Sequence, residues 1–348
     1  MGDIFDIIAV GSNVVDAFVK TDPEESDLIR IKHGKLPEEE LVAYPLGTKI
    51  IVKHLEFQVG GGGTNTAVAF SRLGLDTAYL GKIGKDENGL KVFNNLKEEG
   101  ITFIGTLGQQ NGYSTILDSV GDDRTILTYK GCNNDLEFKE LKKSKLKAKG
   151  YYLCSMMGKA FATLKSVARH AKKQQAKVAF NPSSYLSKKG TSHIKEILKH
   201  TDVLILNDEE AKDLAGFGDD KELAERLSKE GPGTVVITKG SEGVVAYHDK
   251  KYYSVKPPKN LTIHETTGAG DAFGSTLFAA MQRGKPFPQC LKAAMINAES
   301  VIANYGAKNI LLDEKALEKR LEKDKRKVTT TTNKTKKASK KKAGAKKR

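Results

Sequence analysis

The stretch HETTGAGDAFGS, His264 to Ser275, sets one carboxylate directly behind three small residues at the mouth of a helical segment. Gly268, Ala269 and Gly270 can bend tightly and leave backbone N–H groups uncovered, while Asp271 to Met281 has the small, apolar composition of a buried helix. The first N–H groups of a helix lack internal acceptors and lie at the positive end of its dipole, so this turn suits a phosphate or a developing negative charge. Asp271 stands beside that charge. The same residues also fit an ordinary N-cap, because Asp caps helices well and Gly-rich turns commonly precede them.

Two further stretches could do chemistry. In VGGGGTNTA, Gly60 to Gly63 let backbone approach a ligand closely, and Asn65 offers a donor and an acceptor from the first helical turn, which suits a polyhydroxylated ligand. Gly61, Gly63 and Thr66 loosely imitate a dinucleotide fingerprint. The preceding KHLEFQ is a poor buried strand and no acidic partner follows about 20 residues on, which disfavours a nicotinamide-dependent oxidoreductase. In LNDEEAKDL, Asn207 and Glu210 share one face of a first helical turn, where an amide oxygen and a carboxylate suit a hydrated Mg²⁺. The same pair fits a capping box, and on spacing alone that is the stronger reading. VVITKGSEGVVAY reads as a hairpin whose Thr238, Lys239 and Gly240 either contact phosphates or simply connect strands. No Walker loop, H-E-x-x-H, paired C-x-x-C or G-x-S-x-G occurs, and the seven histidines show no spacing that pairs two as ligands.

The elements that must position these groups alternate. Ile7 to Val10 reads as a buried strand, followed by a turn and a second strand containing Asp16. Strands such as AKVAFNP and TDVLILND alternate with helical stretches such as Phe161 to Gln174, which predicts a mostly parallel sheet with helices on both faces. In that architecture ligands gather at the carboxyl ends of strands, where Asp16, Gly60 to Gly63, Asn207, Gly240 and the Gly268 turn fall. YSTILDSVGDDRTILTY breaks the rhythm as a hairpin and reads as a flap.

A chain of 348 residues is large enough for a substantial core without staples, and its three scattered cysteines suit a reducing cytoplasmic setting. No apolar run approaches the roughly 20 residues of a membrane span. Of the net charge of +15, twelve Lys or Arg lie between Lys325 and Arg348 with no acidic residue, leaving +3 elsewhere. That tail is expected to be disordered and to offer loose, salt-sensitive contact with nucleic acid or another polyanion.

Taken in order, Asp16, the Gly-rich turn with Asn65, LGKIGKDENG, the mid-chain hairpin, Asn207 with Glu210, and TTGAGD resemble the ribokinase-like, or PfkB-type, family of carbohydrate and nucleoside kinases. The resemblance runs from about Asp6 to Lys308. It implies a three-layer α/β/α domain over residues 1–324 with a mostly parallel sheet, and a small β-sheet lid from about 12–55 and 103–133. It also implies ATP and Mg²⁺ as cofactors, a sugar or nucleoside acceptor, and K⁺ as a further ion. By the same resemblance Asp271 is the base for the acceptor hydroxyl, kept ionised by its helix N-terminus, with Gly268, Ala269 and Gly270 as the anion hole. Asp16, Gly61, Gly62 and Asn65 would hold the acceptor, Asn207 and Glu210 would organise metal and phosphates, and Thr238, Gly240 and Asn297 would border the nucleotide. The exposed strand edges of the lid suit a homodimer. The sequence departs from family patterns at Gly62, where sugar-specific members often carry lysine. It departs again at Ser155 and Met156, where ribose-specific members carry an acid, and at Glu265, where cation-binding members usually have Asp. A kinase fold used mainly as a polyanion binder through its tail is the alternative from another class.

Overall fold

Along the strand β1 (Phe5–Val10), Ile7 and Ala9 join one apolar cluster and Ile8 and Val10 another, all four fully buried. A strand buried on both faces needs cover on both, which a parallel sheet between two helix layers supplies. The computed structural model describes residues 4–21, 27–31, 39–43, 46–118, 124–258, 261, 266–303, 308 and 310–332. Glu265 and residues 333–348 therefore lie outside the described residues.

After β1 come β2 (Val14–Thr21), β3 (Asp27–Ile31), β4 (Glu39–Ala43), β5 (Val52–Gly60), α1 (Gly62–Arg72), β6 (Thr77–Leu80), β7 (Lys82–Gly84) and α2 (Glu87–Glu98). Next are β8 (Thr102–Phe103), β9 (Thr106–Gly108), β10 (Tyr113–Asp118), β11 (Arg124–Tyr129), β12 (Ala148–Cys154), α3 (Lys159–Lys173), β13 (Lys177–Asn181), α4 (Ser183–Ser187) and α5 (Thr191–Leu198). The chain continues through β14 (Val203–Asn207), α6 (Asp208–Ala215), α7 (Asp220–Ser228), β15 (Thr234–Thr238), β16 (Val244–His248) and β17 (Lys251–Val255). It ends with α8 (Ala269–Gln282), α9 (Phe287–Ile302), α10 (Glu314–Lys323) and β18 (Thr329–Thr332).

The large sheet has the order β18-β17-β16-β15-β14-β13-β12-β1-β6-β8; β15 through β8 run parallel and the three strands at the other edge antiparallel. One face carries α1, α8 and α9 and the other α3, α5, α6 and α7, each over its own apolar cluster. This is the three-layer α/β/α fold that the alternating pattern predicts. A separate sheet, β11-β10-β2-β5, forms the lid, with the expected hairpin as β10 and β11. Its last strand continues to Gly60, directly before α1.

One expectation is corrected here. Thr329–Thr332 pairs antiparallel with β17, so the segment from Lys325 does not begin a disordered tail. A run of β-branched threonines suits an edge strand. Arg326 anchors it, forming a two-pronged ion pair with Glu299 at 2.5 and 2.9 Å while reaching Asp324 at 2.6 Å. Among the described residues no helix is long and apolar enough to cross a membrane.

Candidate active site

Three chain segments converge at one cleft of about 350 Å³: the turn from β1 into β2, the start of α1, and the start of α8. Gly268 precedes α8 in the left-handed region, with φ 79°, a conformation costly for any residue bearing a Cβ. The amide of Ala269 donates to the Thr266 carbonyl at 3.2 Å, and that of Ala272 to the Gly268 carbonyl at 2.9 Å. Gly270 and Asp271 are left to supply the first-turn amides that have no intrahelical acceptor. Of the three expected anion-hole residues, Ala269 thus already spends its amide within the turn.

Asp271 lines the cleft, and Asn65 of α1 donates to its Oδ2 at 2.9 Å. Burial pushes the Asp271 carboxyl up to about 6, against the Asn65 hydrogen bond and the positive charge of Lys308, which both pull it down. Desolvation outweighs both, so this carboxyl holds its proton more tightly than an ordinary one. The Asn65 side-chain oxygen is buried without a partner, and so is the Thr267 hydroxyl of the cleft wall. Orphaned buried polar atoms of this kind mark places where a ligand group completes the hydrogen bonding.

Asp16 enters the cleft from β2 and lies over Gly60: a Cβ at Gly60 would sit 2.0 Å from Asp16 Oδ2. The next glycine, Gly61, has φ 98° and lies against the Ser12 carbonyl, so much of the glycine run serves contact of the chain with itself. Gly61 and Gly62 still line the cleft, and a Cβ at Gly62 would lie 3.6 Å from Asp271 Oδ1. Asp16, Gly61, Gly62, Asn65 and Asp271 are thus brought together.

Asn207 and Glu210 form the capping box of α6. The Asn207 side chain accepts from the Glu210 amide at 2.7 Å, and Glu210 Oε2 accepts from the Asn207 amide at 3.0 Å. Burial pushes the Glu210 carboxyl up. Asn207 stands beside Thr238 at the carboxyl ends of neighbouring strands, and Thr238 donates to the Leu206 carbonyl at 3.2 Å. Gly240 follows in a short turn at φ 52°. None of these four lines the Asp271 cleft, although Tyr152, whose hydroxyl is raised chiefly by burial and then by Cys154, feels the charges of both Asp271 and Glu210. Asn297 does not reach a surface. It is 0% exposed, donates to Thr276 Oγ1 at 2.7 Å and accepts from the Leu312 amide at 2.9 Å, so the expectation that it borders a nucleotide is corrected to a buried tie.

Sequence reasoning missed the lid's root. The Asn13 amide donates to Asn133 Oδ1 at 2.9 Å and Asn133 Nδ2 returns to the Asn13 carbonyl at 2.7 Å, joining the β1–β2 turn to the segment after β11. GSN and GCNND look like ordinary turn residues, and only the 120-residue separation of the partners reveals the lock. Lys308 was missed too. It is 9% exposed, donates to Asn95 at 3.0 Å, and burial pulls its ammonium down to about 8.

The pfkB family carbohydrate kinase profile matches residues 35–314. The chain belongs to the pfkB family. It is a PfkB-type phosphotransferase. An uncharacterized sugar kinase of Archaeoglobus fulgidus is 29% identical over 245 residues, 69% of this chain and 97% of that protein. A ribokinase of Lactococcus lactis is 29% identical over 253 residues, 71% of this chain and 80% of the relative. Among solved structures, Arabidopsis thaliana ribokinase complexed with ribose and ATP superposes with a TM-score of 0.76 at 21% identity, covering 92% of this chain and 99% of that one. The likeness establishes the fold of this kinase.

Proposed function

We propose that this pfkB-family enzyme transfers the γ-phosphoryl group of ATP to a hydroxyl of a sugar or nucleoside held between Asp16 and Asp271. The acceptor oxygen forms a bond to the γ-phosphorus as the bond from that phosphorus to the β,γ-bridging oxygen breaks. ADP departs and the acceptor proton passes to Asp271. Transfer of this kind runs through a loose transition state, so alignment and charge neutralisation matter more than base strength.

The observation that carries this reading is the Asp271 carboxyl itself, lining the cleft at the first turn of α8 and pushed up to about 6. At neutral pH it is ionised and able to accept a proton. The amides of Gly270 and Asp271 face the charge that develops on the transferred group. Asn65 orients the carboxylate through Oδ2. Gly61 and Gly62 let the acceptor approach, and Asp16 binds its hydroxyls.

Among the described residues no group of three or more His, Cys, Asp or Glu could hold a metal. A nucleotide-bound Mg²⁺ keeps several waters and needs only one or two carboxylates, so a single acid fits it. Glu210 would contact that water shell, and the ion would neutralise phosphate charge. Asn207, Thr238 and Gly240, clustered at the ends of β14 and β15, would border the phosphates.

The test is ADP formation by the full chain with ATP, Mg²⁺ and a panel of sugars and nucleosides. Asp271→Asn should lower kcat by ~10²–10⁴ at an unchanged circular dichroism spectrum. Equal rates for the two proteins would remove Asp271 from the chemistry.

A further inference from the structure

The inner face of the lid changes character over two residues. Asp16, Ser114 and Thr128 stand in register across β2, β10 and β11, and one step outward Phe18, Ile116 and Ile126 form the next row. Two residues along a strand span ~7 Å, so a polar band is followed at once by an apolar one. Ser114, Thr128, Ile116 and Ile126 all line the cleft with Asp16.

The rest of the wall also mixes the two characters. Asp271, held by Asn65, supplies a polar group, and Met156 and Tyr185 supply apolar surface. Tyr185 rides on α4, whose first residue, Ser183, is held at φ 48°. Two hydrogen bonds secure that backbone: the Ser183 amide to Asn181 Oδ1 at 3.0 Å and its hydroxyl to Ser155 Oγ at 2.7 Å. A side-chain-bearing residue held there costs energy, which these two bonds offset. Ile126 is 48% exposed and Tyr185 42% exposed, which leaves apolar surface facing the opening from both lid and base.

A free sugar carries hydroxyls around its whole rim and would leave both apolar surfaces wet. An anionic sugar would call for cations, and among the described residues that line the cleft the one Lys or Arg is Lys130. Its ammonium donates to the Tyr185 hydroxyl at 3.1 Å and lies 4.2 Å from that ring's centroid. The cleft thus matches a molecule with hydroxyls at one end and a flat, largely apolar ring at the other.

Resting on the kinase reading above, we infer that the acceptor is a nucleoside. Its ribose lies against the row of Asp16, Ser114 and Thr128, and its base is covered by Ile116, Ile126, Met156 and Tyr185. Tyr185 is the specificity-determining side chain of this arrangement, with Lys130 holding its ring in place.

The test assays the full chain with ATP and Mg²⁺ against adenosine, cytidine, inosine, ribose, fructose and a sugar acid. Calorimetric titration of nucleoside and of ribose runs in parallel. At least one nucleoside should show kcat/KM ~30-fold or more above ribose, because base burial is lost with the free sugar. Tyr185→Ala and Ile126→Ala should each raise the nucleoside KM ~10-fold with kcat held within ~3-fold, and Tyr185→Phe should recover most of the loss. A sugar or sugar acid that outperforms every nucleoside overturns this inference and leaves the kinase reading standing. Nucleoside binding without transfer to any acceptor supports the nucleoside-shaped site and overturns the kinase reading. Neither binding nor transfer overturns both.

Discussion

Asn65 on α1 and Asp271 on α8 lie 206 residues apart in sequence and 2.9 Å apart in space, with the amide nitrogen of one donating to the carboxylate of the other. That bond is the join between the two Gly-rich motifs. It also opposes the burial that drives the Asp271 carboxyl up to about 6.

Removing the donor should therefore move the titration. In Asn65→Ala the carboxyl loses a hydrogen bond that favours its charged form, so the acid limb of the kcat/KM profile should shift upward by ~1 pH unit. A pH–rate profile with an unmoved acid limb would contradict this.

Asp271 should also cost the fold stability at neutral pH. Its folded carboxyl titrates near 6 and the unfolded one near its ordinary 3.8, so the native state holds the proton more tightly. Stability is therefore full below 3.8, falls as pH rises through about 6, and stays low above that. Asp271→Asn removes the penalty, which is on the order of 3 kcal/mol at most. Thermal unfolding should show the variant gaining on the parent between about pH 4 and about pH 6 and holding that gain at higher pH, the reverse of its effect on turnover.

Gly60→Ala tests the seat of Asp16. The new methyl would fall 2.0 Å from Asp16 Oδ2, and the carboxylate must turn away. Acceptor KM should rise ~10-fold or more while the KM for ATP holds, as read from paired substrate titrations.

Asn297 makes the opposite forecast. Its loss leaves the Leu312 amide and Thr276 hydroxyl without their partner, so Asn297→Ala should destabilise by ~1–3 kcal/mol in urea unfolding. The KM for ATP should not move.

Truncation separates the two parts of the basic segment. Ending the chain after Thr332 keeps β18 and the Arg326–Glu299 pair, and should leave the melting temperature unchanged. Ending it after Asp324 removes both, and should lower the melting temperature by several degrees in calorimetry.

The layered fold could be read from alternating strand and helix patterns because burial on two faces demands near-continuous apolar strands, and Ile7 to Val10 show them. The TTGAGD turn and Asn65 could be read for a similar reason: special backbone geometry needs glycine, and glycine is visible. Asn297 was misassigned because a buried amide and a ligand-binding amide are the same letter, and its exposure depends on how α9 packs against α8. Lys325 to Thr332 was misassigned because charge count conceals an edge strand that forms only where β17 offers unpaired backbone.

Local chemistry thus specified the elements, the tight bends and several of the residue types that line the cleft. Packing alone decided that Asp16 folds over Gly60, that Asn13 locks to Asn133, and that desolvation at Asp271 outweighs the Asn65 hydrogen bond and the charge of Lys308. The reason is that burial, dielectric environment and distance between remote segments are properties of the assembled layers, and no single stretch of chain contains them.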